Sequence, residues 1–404
     1  MADHASSDDL AVQAQLDRFA QLSPGRDVLG LDRIAALLAA MEDPHLRLPP
    51  VLHVAGTNGK GSTCAFLRAG LEAAGKIVHV YTSPHLVRFN ERIRLTGRLI
   101  DDAALAPLLE QVLDVADREG LRPSFFEATT AAAFLAFAQV PADACVIEVG
   151  LGGRLDATNV IQPDVCGIAQ IGFDHQAFLG DTLAQIASEK AGIAKPGVPL
   201  VCLAQPPDAE QSIEQVCRER AAPLLLEGRD WQIDRMLKPG LVGAHQLRNA
   251  NLAAQMLKQH GVADAAIAEG VASARWPARF QQLAAGPLTA GRALWIDGAH
   301  NSQAAEALAE ELRRHPPMHL VLGILANKDA EGVITPLART AASLSFVPVP
   351  AHAHHNPQIL ATRWHGQAHP SLEHALAGLS SPILIAGSLY LCGEALRLNR
   401  QLPD

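Results

Sequence analysis

The chain has 404 residues, of which 49% are hydrophobic and 19% charged, and a formal net charge of −9. That length allows two or three domains with large cores, while the acidic balance and the lack of a long basic run exclude nucleic acid as an expected partner. The longest uncharged apolar stretch, residues 128–142, is too short to span a membrane. The N-terminus has no apolar signal core, and six scattered cysteines without CxxC spacing read as reduced thiols. A cytoplasmic protein is therefore expected, and a monomer, since no coiled-coil pattern or long apolar surface helix is visible.

Helical patterns at residues 10–22 and 31–41 lead to an apolar strand at 51–55. Directly after it stand Gly56, Thr57, Asn58, Gly59, Lys60, Gly61 and Ser62, then an amphipathic helix over 62–74 that Gly75 ends. Glycines let backbone N–H groups turn toward an anion, a helix N-terminus adds positive potential, and a lysine reaches the outer phosphates. A hydroxyl just after the lysine can meet magnesium or a phosphate oxygen. The spacing departs from the Walker A form, with two residues between the first glycines and Gly61 after the lysine, yet the pattern predicts a nucleotide-phosphate cradle. Strands near 77–81, 144–149, 165–171 and 199–203 alternate with helices near 126–138, 182–191 and 209–221, and a further helical region covers 247–271. Such alternation predicts an α/β fold whose mostly parallel sheet is covered on both faces. A turn-rich stretch around 284–292 marks a boundary. An N-terminal P-loop ATPase-like domain is expected over 1–284, a linker at 285–292, and a smaller Rossmann-like α/β domain over 293–404. Its strands fall near 293–296, 319–322, 343–347 and 383–386, and its helices near 303–314, 372–377 and 389–397.

Polar residues at strand ends carry the remaining signals. Glu148 closes an apolar run; it either faces water from an edge strand or is buried and needs a cation nearby. Gly152, Gly153 and Asp156 follow as a tight loop at the carboxyl end of that strand, where ligands bind in open α/β sheets. Asp174 could orient the ring of His175, although a lone loop histidine is a weak signal. Lys190 sits late in a helical segment, where lysines are usually solvated. In the second domain Asp297, His300 and Asn301 follow one strand, Asn327, Lys328 and Asp329 another, and Gly387 and Ser388 a third. In a parallel sheet these three loops share one edge, a natural half-site facing the phosphate cradle. The histidines at 352, 354 and 355 lie between prolines with no carboxylate or cysteine near in sequence, and read as a solvated loop rather than a metal tract.

With these residues in view, the chain resembles the folylpolyglutamate synthase/dihydrofolate synthase family, relatives of the Mur ligases, from about residue 31 to 394. The cradle at 56–62, the run 81–93 around Ser83, Pro84 and His85, the glycine-rich stretch 148–159, Asp174 with His175, residues 189–192, residues 297–301 and residues 387–390 all match family motifs. The resemblance implies ATP-dependent amide formation through an acyl phosphate, with L-glutamate as the amine. It implies that Lys60 and the cradle backbone hold ATP, that Asn249, Arg279 and Asp297 also contact ATP, and that Ser83, Glu148 and His175 coordinate two magnesium ions. Lys190 would be carbamylated, and His300 and Ser388 would lie near the incoming glutamate. Ser124 to Glu127 and residues 155–159 are similar to bifunctional bacterial members. Phe126, Asp156 and Ala157 would then line a pocket for dihydropteroate, and reduced folates would be the second substrate. Ala278 stands where the family usually has glycine, and Asn327 where it commonly has aspartate. Two other readings are a Mur-type amino-acid ligase and a nucleotide switch. Gly61 and the Ser83 loop argue against the first; the strand-end loops of the second domain argue against the switch.

Overall fold

A strand covered by helices on both faces needs apolar residues at every position. In the computed structural model, which describes residues 7–22 and 29–404, β1 (Val51–Ala55) is buried throughout, and so is β2 (Val78–Tyr81). A short hairpin, β3 (Ile93–Leu95) and β4 (Arg98–Leu99), follows. The buried run resumes in β5 (Ala144–Glu148), β6 (Val165–Ile168) and β7 (Leu200–Cys202), and β8 (Leu224–Leu226) closes the edge. The sheet order is β4-β3-β2-β5-β1-β6-β7-β8. Neighbours from β2 to β8 run parallel, and only the β3 and β4 pairings are antiparallel. The chain passes from β1 to β2 on one side of β1 and later returns to β6 on the other. Such a switch point opens a crevice at the carboxyl edge. Register places Val54 beside Glu148 and Ala55 beside Ile168, so the loops after β1, β5 and β6 emerge together.

Contacts divide the chain into two units, one ending at Gly240 and resuming over Leu247–Ala274, the other formed by Leu241–Gln246 and Arg275–Asp404. The second unit's sheet holds β9 (Gln281–Gln282), β10 (Leu294–Asp297), β11 (Met318–Leu322), β12 (Ala341–Phe346), β13 (Gln367–Ala368) and β14 (Ile383–Ala386), in the order β13-β12-β11-β14-β10-β9. Here β9 is antiparallel to β10 and the other pairings are parallel. The stretch 285–292, expected as a linker, connects two paired strands of one sheet, because the chain has already joined that sheet at Gln281.

Helix starts follow capping chemistry. Ser124 and Thr182 each form a reciprocal capping box with the residue three positions on, Glu127 and Gln185. The helical region 247–271 is two helices, Ala244–Gln259 and Asp264–Ser273. Helices Asp102–Arg118, Ala330–Ala338 and Pro357–Trp364 have no counterpart among the expected elements; Pro107 and Pro336 interrupt the sequence pattern of the first two. Among the described residues no helix is long and apolar enough to cross a membrane.

Candidate active site

The cradle begins where β1 ends. Gly59 takes φ +91°, a left-handed conformation that glycine adopts without a Cβ clash, and helix Lys60–Ala73 starts there. The Thr57 and Asn58 amides both donate to the Gln170 carbonyl, at 2.9 and 3.1 Å. The Thr57 hydroxyl donates to Gly172 O and accepts from Gly172 N, each at 3.0 Å. These two residues thus lock the cradle onto the loop after β6. The amides that open toward an anion are those of the helix's first turn, from Gly59 to Ser62. Asn249 reaches the same turn: a Cβ on Gly59 would collide with its side-chain amide.

Three further expected residues come to this edge. Glu148 lies in an interior strand, is 4% exposed, and accepts from the Ser83 amide at 3.3 Å, which disposes of the edge-strand reading. Lys190 is not solvated. It is 5% exposed, and its Nζ donates to the Gly56 carbonyl at 2.9 Å. Burial, helped by the charge of Lys60, lowers its amine to about 7. His175 is half-exposed in a left-handed conformation, with its Nε2 3.8 Å from the Asp174 carboxylate. No group of three or more His, Cys, Asp or Glu side chains among the described residues is arranged around a common point. An ion held here would be completed by phosphate oxygens and water, which suits magnesium.

On the loop after β5, Asp156 is 2% exposed, and burial raises its carboxyl above the usual range. Its oxygens accept from Leu151 N at 2.8 Å, Thr158 N at 3.0 Å and Thr158 Oγ1 at 2.5 Å. The Asp156 side chain is therefore committed to shaping its own loop. Ala157 opens the short helix Ala157–Val160 that Asp156 caps. The ring of half-buried Phe126 lies against Gly150 and 6.0 Å, centroid to centroid, from Tyr81, so a flat wall borders the loop.

In the second unit the loop after β10 gathers Arg279, Asp297 and His300. Both Asp297 oxygens take backbone donors, Phe280 N at 2.8 Å and Ala299 N at 2.9 Å. The Arg279 guanidinium donates to Ala278 O at 2.8 Å and lies over Gly298. His300 Nδ1 donates to Gly298 O at 2.8 Å. Ser388 is 1% exposed, caps helix Leu389–Leu398 and accepts from Tyr390 N at 3.1 Å.

A profile of the dihydrofolate synthetase C-terminal domain matches residues 288–398. The Bacillus subtilis dihydrofolate synthase/folylpolyglutamate synthase is 35% identical over 351 residues, covering 78% of this chain and 80% of that one. The chain belongs to the dihydrofolate synthase/folylpolyglutamate synthase family. It is an ATP-dependent ligase of that family. Among solved structures, E. coli FolC in complex with DHPP and ADP is similar at a TM-score of 0.87 and 30% identity, over 96% of this chain and 97% of that one. The Yersinia pestis bifunctional synthase complexed with AMPPNP and Mn ion is similar at 0.85 and 30%, over 96% and 97%.

Two readings from the sequence gain structural detail, Ala278 in place of the usual glycine and the histidine loop. Ala278 takes φ +54°, the left-handed conformation that a glycine would adopt at less cost. The histidine loop is not simply solvated. His355 Nε2 donates to Lys328 O at 2.9 Å, Ala326 N donates to Ala353 O at 2.9 Å, and the His352 ring stacks on Tyr390 at 3.8 Å. The loop after β12 is thus folded onto the strand-end loops. Sequence reasoning also missed Arg248, which donates to the Gln170 side chain at 2.6 Å and pairs with Glu227 at 2.7 Å, beside the carbonyl that fastens the cradle. Its position next to Asn249 was the available signal.

Proposed function

We propose that this ligase joins L-glutamate to dihydropteroate, and further L-glutamate to reduced folates, as a cytoplasmic monomer. The acid substrate's carboxylate oxygen attacks the γ-phosphorus of ATP; ADP leaves and an acyl phosphate forms. The glutamate amine attacks the acyl carbon, the amide bond forms, inorganic phosphate leaves, and the amine gives up a proton. Lys60 and the amides from Gly59 to Ser62 hold the phosphates. Asn249, Arg279 and Asp297 contact the nucleotide, Phe126 packs on the pterin, and His300 with Ser388 receives the amino acid. His300 takes up the departing proton. Catalysis of this kind is mainly positioning and charge neutralisation.

The observation that carries the reading is Lys190 Nζ at 2.9 Å from the cradle carbonyl of Gly56. A lysine lowered to about 7 is substantially neutral at physiological pH, and a neutral amine adds to carbon dioxide. The N–C bond forms, a proton leaves, and the product is a carbamate anion beside the phosphate site. That anion, with Ser83, Glu148 and His175, would hold two magnesium ions. When bound, magnesium neutralises charge on the transferring phosphoryl group.

Phosphate release with magnesium, ATP and L-glutamate tests the proposal. Turnover with dihydropteroate and with a reduced folate monoglutamate is the expected result. Turnover with the folate alone identifies a single-activity folylpolyglutamate synthase. No turnover with either substrate overturns the proposal and points to a Mur-type acceptor.

A further inference from the structure

β1 carries a histidine among apolar neighbours, in a strand buried at every position. His53 is fully buried, and burial, with the nearby charge of Lys195, pushes its imidazole down to about 3, so the ring is neutral. Its Nε2 lies 2.9 Å from Thr158 Oγ1. The Thr158 hydroxyl has a single proton and directs it to Asp156 Oδ1 at 2.5 Å. His53 Nε2 must therefore carry hydrogen and donate, and Nδ1 keeps its lone pair. That atom is buried with no hydrogen-bond partner among the described residues. An unpaired buried acceptor is destabilising, and valine or isoleucine would fill a sheet interior without it. What the imidazole adds is the bond to Thr158.

The bond propagates. With its hydroxyl oxygen held by His53, Thr158 cannot turn its proton away from Asp156. Asp156 in turn accepts from Leu151 N at 2.8 Å, and the Gly150 amide is a further donor to it. These donors fill the carboxylate and set the backbone course of the loop at Gly150, the residue on which Phe126 rests. We infer that His53 is a positioning residue for the acid substrate: its Nε2–H holds the Thr158 hydroxyl, which holds Asp156, which shapes the loop beneath Phe126. The role rests on that loop being the dihydropteroate pocket, as proposed above. β1 also ends in the phosphate cradle, so the kinetics must separate the two ligands.

The test is steady-state kinetics with dihydropteroate and ATP varied separately. His53→Leu keeps the volume and removes the donor; it is expected to raise the KM for dihydropteroate about tenfold and leave the KM for ATP within twofold. His53→Gln, whose amide nitrogen reaches as far as Nε2, is expected to restore the dihydropteroate KM to within about threefold. Thr158→Val is expected to reproduce the His53→Leu defect, with no further loss in the double variant, and it serves where His53→Leu does not fold. Equal rises in both KM values, or a dihydropteroate KM unchanged in Thr158→Val, overturn the inference. Asp156→Asn separates the levels. If it raises the dihydropteroate KM while Thr158→Val does not, the pocket stands and the relay fails; if it leaves that KM unchanged, the pocket assignment itself fails.

Discussion

Lys190 combines its proposed chemical role with a penalty to the fold, and replacing it by methionine separates the two. Burial lowers the amine from 10.5 to about 7. Between those pH values the unfolded chain binds more protons than the folded chain, so stability rises with pH across the window. At about 1.4 kcal/mol per pH unit, burying the ammonium form costs about 5 kcal/mol below pH 6, about 4 kcal/mol at pH 7 and nothing above 10.5. Methionine fills the space without charge but deprives the Gly56 carbonyl of its donor, an offset of about 1 kcal/mol. Lys190→Met is thus expected to stabilise the protein by about 3 kcal/mol at pH 7, or roughly 3–6 °C in Tm for a chain of this size, while phosphate release falls to background. The assay is thermal and urea unfolding of metal-free protein in CO2-free buffer from pH 6 to 10. Its advantage over the parent should shrink steadily across that range. A variant less stable than the parent at pH 7, or a difference that does not change with pH, would refute the account of Lys190 as a buried amine. Full turnover would refute its role in the chemistry.

Gly59→Ala puts a Cβ into the Asn249 amide at a φ that L-residues avoid. The KM for ATP should rise at least about tenfold while that for dihydropteroate holds; an ATP KM within about twofold of the parent would contradict the cradle. Gly150→Ala drives a methyl into the Phe126 ring. It should raise the dihydropteroate KM about tenfold and leave ATP binding alone, and the reverse pattern would place the pterin elsewhere. Chelation by EDTA should stop turnover, and either magnesium or manganese should restore it, whereas turnover that persists in EDTA would remove the metal role from Glu148 and Ser83.

The cradle was legible because its constraint is local. A glycine forced to positive φ, a lysine and a helix start appear in order within a few residues, and β1 keeps its expected bounds. The apolar strands were equally plain, since a parallel sheet needs continuous runs. Lys190 was not legible as a buried residue. The carbonyl it meets is 134 positions away, and nothing in a helical lysine's neighbourhood announces burial. The spending of the Thr57 and Asn58 amides on Gln170 was hidden for the same reason. The histidine loop misled because proline-flanked polar residues read as solvent-facing, while its bonds run to Ile324, Ala326 and Lys328 on a loop distant in sequence. The donors that the fold returns to Asp156 were hidden as well, because they depend on the course of its own loop.

These buried ties have a common consequence for the reaction. The loop after β5 follows directly on Glu148, the last residue of that strand, and carries Asp156 near its end, and it is fastened to the helix end that carries Lys190. Arg154 N donates to Glu189 O at 2.8 Å, the Arg154 side chain pairs with Glu189 at 2.7 Å, and a Cβ on Gly153 would stand 2.7 Å from the Lys190 carbonyl. Asn159 Nδ2 donates to both Arg154 O and Gly192 O at 3.0 Å. Lys190 then ties the same helix end to the cradle through Gly56. Phosphoryl transfer between ATP and a carboxylate depends on placing both within a fraction of an ångström. A loop clamped to the cradle at Lys190, and held at its far end by Asp156, would keep the proposed acid pocket and the proposed phosphate site in one register. The surface ion pairs contribute little to such rigidity; the close glycine contacts and buried amide bonds set it.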